Sequence, residues 1–440
     1  MEIDRMTKKG RNTTCGMVVM LLILSGSLLS SIVSSEPCSQ GVACGKGPIL
    51  YVGGGHQGDY TTIQSAINDA QSGYTIYVYD EGSPYYENLI ISKSLYLMGE
   101  NRDTTAIDGR NVDNVIHISV DYVNISGFTL RKSGSAAGIS VNSDHNAIWN
   151  ISFQENHYGI EIAYSRDTLI KSCKFMDNDY GIYLLGSRDN RILENLLNDH
   201  QRGIELAEGS TYNVIYGNTF STNDQGIRLD ASSNNDIYWN VLTDHEIGIY
   251  ARDANDNAIH RDNIITDNIY GIYLEDCSST GIYDGNYIAD NTKDGIYVKD
   301  SDQTNIFENT ISSNRCGINI SRSSATDIFW NTIEQNKHGI YLFYASVSDI
   351  FLNDIISNYQ TGVYIDFSSQ SKTAYNNFRE NYLSATFKQS LFSQNAWKKN
   401  YWDDSEKYSA KRIYGQLFGP SATRDWVAYD FHPATNPYNI

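Results

Sequence analysis

Tyrosines recur two residues after a repeated Gly-Ile or Gly-Val pair, at Tyr183, Tyr250, Tyr273, Tyr297, Tyr341 and Tyr364. Glu161, Glu205, Arg228 and Asn319 fill the same slot in other repeats. A second aromatic series, Tyr216, Tyr238, Tyr283, Phe307, Phe329 and Phe351, follows a different isoleucine. Rings aligned on one surface suit the flat faces of sugars, with phenol hydroxyls left for hydrogen bonds. Tyr250, Tyr273, Tyr297, Tyr341 and Tyr364 are therefore the candidate carbohydrate-binding residues. Tyrosine also packs well on an exposed strand without any ligand.

Asp230, Asp253, Asp276 and Asp300, with Glu275 among them, read as an acidic row beside the tyrosines. Carboxylates stacked from repeat to repeat suit Ca²⁺, which takes several oxygen ligands. Ca²⁺ is the one metal this pattern suggests, and no cofactor is required by it. With Arg228, Arg252 and Lys299 nearby, the row also offers the parts of a uronate lyase. A glycosidase would instead need two carboxylates ~5–9.5 Å apart. The plainer expectation is a solvated turn surface. In the tail, Asp403, Asp404, Asp430 and His432 read as hydrogen-bonding groups that close an end. Asn124, Asn150 and Asn319 each begin an Asn-Ile-Ser glycosylation sequon, and Asn150 reads as the least available.

The elements that must carry these residues follow from one repeat. Glycines at 138, 159, 181, 203, 226, 248, 271, 295, 317, 339 and 362 are separated by 21 to 24 residues. Each unit holds three short alternating pieces: Gly-Ile-x-Leu, Ile-aromatic, and a piece after asparagine. Alternation sends Ile272 and Leu274 to one side and Tyr273 to the other. Three strands in about 22 residues describe one coil of an all-β, right-handed parallel β-helix. Ile160 to Val363 and Phe153 to Ile333 predict two inward ladders. Asparagines recur eight or nine residues before the glycine, including Asn150, Asn195, Asn286, Asn309 and Asn353, with Cys173 in one slot. A second series, from Asn156 to Asn358, contains His200 and His245. Both read as stacked side chains that also tolerate the left-handed backbone of a sharp corner, and the glycine as permissive backbone ahead of a strand.

A solenoid must close its ends. Ile63, Ala66, Ile67 and Ala70 predict a short capping helix, with Asp59 or Thr61 as N-cap. The reading by segment is a signal peptide over 1–35, a linker over 36–47, and an N-terminal cap with first coils over 48–135. Repeats follow over 136–385, and a C-terminal cap over 386–440. Lys8, Lys9 and Arg11 precede a stretch without charge to Ser35, as in a cleaved secretory leader; an uncleaved anchor is the rival. Either places the chain outside the cytoplasm, with no further membrane insertion. Cys38 and Cys44 are close enough to pair, whereas Cys173, Cys277 and Cys316 should stay free. The net charge of −19 argues against a nucleic-acid partner.

The stretches "TIQSAINDAQSG", "YYENLIISKSLYLMGENRDTTAIDGR", the "NxxGIYL" repeats and "NYWDD…YDFHP" together resemble the NosD-like, pectate-lyase-like β-helix proteins. That resemblance implies a secreted or cell-surface β-helix. Its members include polysaccharide lyases, hydrolases, uronan epimerases, carbohydrate binders and surface proteins. The copper chemistry behind the family name does not carry over, because four of six methionines lie in or beside the leader and the histidines are scattered. The expectation is an envelope protein that binds polysaccharide. The alternatives are a carbohydrate-active enzyme or a structural envelope protein.

Overall fold

The computed structural model describes residues 47–440 apart from 56–58, 391, 405–408 and 419–422. The leader and almost all of the linker, with Cys15, Cys38 and Cys44, lie outside these residues. The described chain is a parallel β-solenoid with three faces. One face is a sheet of 16 strands, from Ile49–Val52 to Ala396–Lys398. A second, which we call the glycine face, stacks strands such as Ile247–Arg252, Tyr270–Glu275 and Asp294–Lys299. The third stacks three-residue strands such as Val241–Thr243 and Ile264–Thr266. Coil follows coil in parallel register, Ile249 on Ile272 and Ile272 on Ile296.

The inward ladders form as the sequence predicts. Ile160, Ile182, Ile204 and their successors to Val363 have no accessible surface, nor do Phe153, Phe175, Leu197, Phe220 and Leu242. Each fully buried side chain of this size is worth ~1.5–3 kcal/mol. A third ladder, Ile148 through Ile350, lines the 16-stranded sheet.

The corners hold the coils in register through asparagine. Asn309 Oδ1 accepts the Asn286 amide at 2.8 Å, while Asn309 Nδ2 donates to the Ile282 carbonyl at 2.9 Å and to Phe307 at 3.0 Å. Asn331 in turn accepts the Asn309 backbone N–H at 3.1 Å. The other predicted series stacks the same way from Asn156 to Asn381. His200 and His245 take their turns in it.

Four expectations are corrected. The ladder asparagines are not themselves left-handed. The residue before each one is, as at Asp267, Asp290, Glu308 and Trp330. Among the described residues, 13 of the non-glycine residues with positive φ are aspartates. A quarter of the chain's 52 acidic residues thus serve corners, since Asp tolerates this conformation better than most side chains.

Asn150 is one of these exposed left-handed residues (φ 52), and Ile151 takes the ladder slot. Among the sequons the order of availability reverses: Asn124 is buried and the Asn319 amide is tied to Asp294 at 2.8 Å.

The repeated glycine is needed for space, not for φ. A Cβ on Gly271 would lie 2.5 Å from the Gly295 carbonyl oxygen. The helix Ile63–Asp69 is capped by Thr62, whose side chain accepts the Ser65 N–H, and not by Asp59 or Thr61.

Parallel pairing persists past the last clear repeat, through Ala396–Lys398 and Tyr401–Trp402. The end is closed by an antiparallel hairpin of Lys411–Phe418 and Thr423–Asp430. The Asp430 carboxylate accepts the Lys399 and Asn400 N–H groups at 2.9 and 2.8 Å, and the Trp402 indole at 3.2 Å. It stands where the next ladder asparagine would be.

Two stability measurements follow. Asn309→Ala strands buried partners on both sides and should cost about 2 kcal/mol in urea unfolding, whereas Asn150→Ala should stay within about 0.5 kcal/mol. Equal effects would remove the ladder's structural role.

The second concerns His245. Its Nδ1 lies 3.1 Å from the Asn223 N–H nitrogen, and burial pushes the ring pKa down from 6.5 to about 4. Between those values the unfolded chain binds a proton that the folded chain refuses, so stability falls as pH drops through the window. His245→Asn should abolish a loss on the order of 3 kcal/mol, read as the variant-minus-wild-type difference between pH 7 and pH 4.

Candidate functional site

The outer surface of the glycine face has three columns. The middle column runs Glu161, Tyr183, Glu205, Arg228, Tyr250, Tyr273, Tyr297, Asn319, Tyr341 and Tyr364 in unbroken register. All five candidate tyrosines thus share one column. Tyr250 is 9% exposed and the other four are half-buried.

A chain of charges threads these columns. Arg202 pairs with Glu205, and Arg228 Nε lies 3.2 Å from the same carboxylate. Arg228 also reaches Asp230 at 2.7 Å, and Arg252 meets Asp230 from the next coil at 3.1 Å. The Arg228 guanidinium sits 4.9 Å from the centre of the Tyr250 ring. Tyr250 donates to Glu275 at 2.6 Å, and Lys299 pairs with Glu275 as well. The hydrogen bond from Lys299, then that from Tyr250, holds the Glu275 carboxyl below its ordinary range. Burial, then the Glu275 contact, pushes the Tyr250 phenol up.

At the centre, the Glu205 and Arg228 side chains are only 4% and 8% accessible although they point away from the core. Stacked strands and flanking residues desolvate them. A buried charge left without its partner costs ~3–5 kcal/mol.

The predicted acidic row is not one column. Asp230 pairs in register with Arg252, Glu275 and Lys299, so acid and base alternate there. Asp253, Asp276 and Asp300 occupy the next position, on the left-handed corner. Counting from the glycine shows it: Asp230 is four residues past Gly226, but Asp253 is five past Gly248. Asp300 is gripped by Arg322 through two contacts of 2.7 Å, which hold its carboxyl low. Asp253 and Asp276 are exposed. Glu275 and Asp300, held ionised, lack the raised pKa of a general acid.

The second aromatic series lies on the 16-stranded sheet, and His260 fills the gap that the sequence reading left in it. From Tyr283 through Phe307 and Phe329 to Phe351 the rings stack at 4.7–4.9 Å and within 7° of parallel. Such rings spend their faces on one another and present edges. On the glycine face Tyr250 is tilted against Tyr273 by 62° at 5.3 Å, and Tyr273 against Tyr297 by 42° at 4.8 Å, whereas Tyr341 and Tyr364 lie within 28° of parallel; Tyr216 and Tyr238 on the 16-stranded sheet are also tilted, by 45°. Tilt leaves part of each ring face open.

Sequence reading also missed further polar columns. Ser165, Ser187 and Ser210 hydrogen-bond from coil to coil, as do Asn190, Asn213, Asn235 and Asn257. Most of these serines fall six residues after the repeat glycine, a signal present in the spacing.

Fold and surface together define a parallel β-helix protein with one patterned outer face. The match by sequence is more particular. The family described as periplasmic copper-binding protein (NosD) matches residues 86–261 and 253–413, and the chain belongs to it. No curated protein matches.

Similar solved structures include the A-module of the Azotobacter vinelandii mannuronan C-5 epimerase AlgE4. It is 14% identical with a TM-score of 0.41, over 76% of this chain and 94% of that one. The Dettilon tailspike protein is 14% identical with a TM-score of 0.43, over 85% and 75%. PfbA, a surface adhesin of Streptococcus pneumoniae, is 15% identical with a TM-score of 0.41, over 65% and 83%.

The family description names copper, which favours thiolate, thioether and imidazole donors. Cys173, Cys277 and Cys316 are buried and free. Burial pushes the Cys173 thiol up to about 12 and Cys277 to about 11. His200 and His245 are committed to the asparagine ladder. Among the described residues no three of His, Cys, Asp and Glu are placed to share an ion. These side chains do not fit a resident copper ion.

Arg228→Ala removes one of the two cations on Glu205, Arg202 being the other, and should destabilise the protein by about 2 kcal/mol in urea unfolding; Glu205→Gln on that background should recover part of the loss. An undiminished loss in the double variant would show that packing, not charge, holds this centre.

Proposed function

We propose that this protein is an extracytoplasmic β-helix whose glycine face binds polysaccharide. The observation that carries the reading is the column of tilted, partly open tyrosine rings beside paired cations and carboxylates. Open ring faces suit sugar faces, and flanking charged groups suit hydroxyls and acidic substituents. From Tyr283 to Phe351 the 16-stranded sheet lacks those open faces, and the ion pairs interleaved with the tyrosines at Glu205, Arg228, Glu275 and Lys299 favour the glycine face as the platform. The chargeless stretch behind Lys8, Lys9 and Arg11 and the family's periplasmic description support export. Among the described residues no helix is long and apolar enough to cross a membrane.

A glycan array probed with the purified protein should give discrete polysaccharide hits. Tyr273→Ala with Tyr297→Ala should weaken them roughly tenfold, as expected for two ring contacts of ~0.5–1.5 kcal/mol. Phe307→Ala with Phe329→Ala, on the other sheet, should leave them unchanged. A blank array, or equal loss from both pairs, would overturn the reading.

A further inference from the structure

We propose that the glycine face carries two repeat-related stations occupied together by one linear, polyhydroxylated polymer. The ligand class is therefore an extended polysaccharide and not a mono- or disaccharide. This rests on the polysaccharide reading above.

At the first station Tyr250 donates to Glu275, Tyr273 meets the Tyr250 ring edge-on one coil on, and Lys299 follows Glu275 in register. The second repeats the plan. Tyr341 donates to Asp366 at 3.0 Å, Tyr364 lies 5.1 Å from it, and Lys388 follows Asp366 in register. Both hydrogen bonds join residues 25 apart in sequence. The stations are four coil steps apart in one column, about 19 Å at the strand spacing of ~4.8 Å. Tyr297 and Asn319 continue that column between them.

The second station is the less satisfied of the two. Lys299 pairs with Glu275, but Lys388 lies over the Phe367 and Phe418 rings at 5.2 and 4.8 Å. Asp366 is 7% exposed and its Oδ1 has no hydrogen-bond donor; Asn319 Oδ1, between the stations, has none either. Both oxygens are themselves covered, so what a ligand can reach along this column is the half-buried Tyr273, Tyr297 and Tyr364 rings, whose faces and phenol groups suit a chain rich in hydroxyls. Two linked contacts raise affinity by effective concentration once one molecule spans both.

The test is calorimetric titration with size-fractionated β-1,4-glucan and oligouronate series, from disaccharide to decasaccharide. For the series that binds, affinity should rise about a hundredfold once the oligomer spans both stations. Tyr250→Phe and Tyr341→Phe should each lower decasaccharide affinity at least about tenfold, with a retained cooperative thermal transition well above the assay temperature as the folding control. Disaccharide binding as tight as decasaccharide binding, or long-chain affinity indifferent to Tyr341→Phe, would overturn the two-station proposal and leave polysaccharide binding standing. No binding at any length in either series, together with a blank array, would overturn both.

Discussion

The hydrogen bond from one corner asparagine to the next coil's asparagine is the constraint on which this molecule rests. A solenoid turns three times per coil, and each sharp turn leaves backbone donors and acceptors that no strand can use. Here a side-chain amide supplies both roles at once, as Asn309 does between Asn286 and Asn331. Because the partner is always the equivalent residue one coil away, satisfying the corner also fixes the register. Register fixes which side chains face out together. The tyrosine column of the glycine face is therefore a product of corner chemistry as much as of strand sequence.

Pattern on an outer face has energetic meaning in this fold. The core columns are interchangeable apolar residues, but the outer columns are not uniform. Around Glu205, Arg228 and Tyr250, charged groups are buried on the outside of the cylinder, where a solenoid has no structural need of them. Their mutual pairing offsets the desolvation of each. The result is a stiff, alternating surface in place of a flexible cloud of charged side chains, and stiffness is what an extended ligand requires to bind without a large ordering cost.

Much of this was legible in the sequence, because a 22-residue period forces every coil to repeat its needs. The Ile272 and Ile288 columns, the glycine column and both main asparagine series follow from counting. What escaped counting was any feature that depends on a one-residue offset. Asp230 and Asp253 look equivalent until the corner is placed, since a strand residue and a left-handed corner residue are neighbours in sequence. Asn150 was misassigned for the same reason. Ring tilt lay beyond sequence altogether: Tyr283, Phe307 and Phe329 stack flat while Tyr250, Tyr273 and Tyr297 do not. The role of Asp430 was legible only as "closing an end".

The manner of that closing gives the cylinder a direction. Each ladder asparagine reaches back, its carbonyl oxygen taking an N–H and its amide feeding a carbonyl of the coil before it. A coil is thus chemically unfinished until its successor arrives, and every newly added coil presents the same unfinished corner. Asparagine propagates this state because its amide both takes and gives. A carboxylate only takes. Asp430 accepts what the Asn400 corner offers and hands nothing on. It behaves as a terminator for a one-dimensional lattice, and its chemistry can work only at the end where the ladder stops.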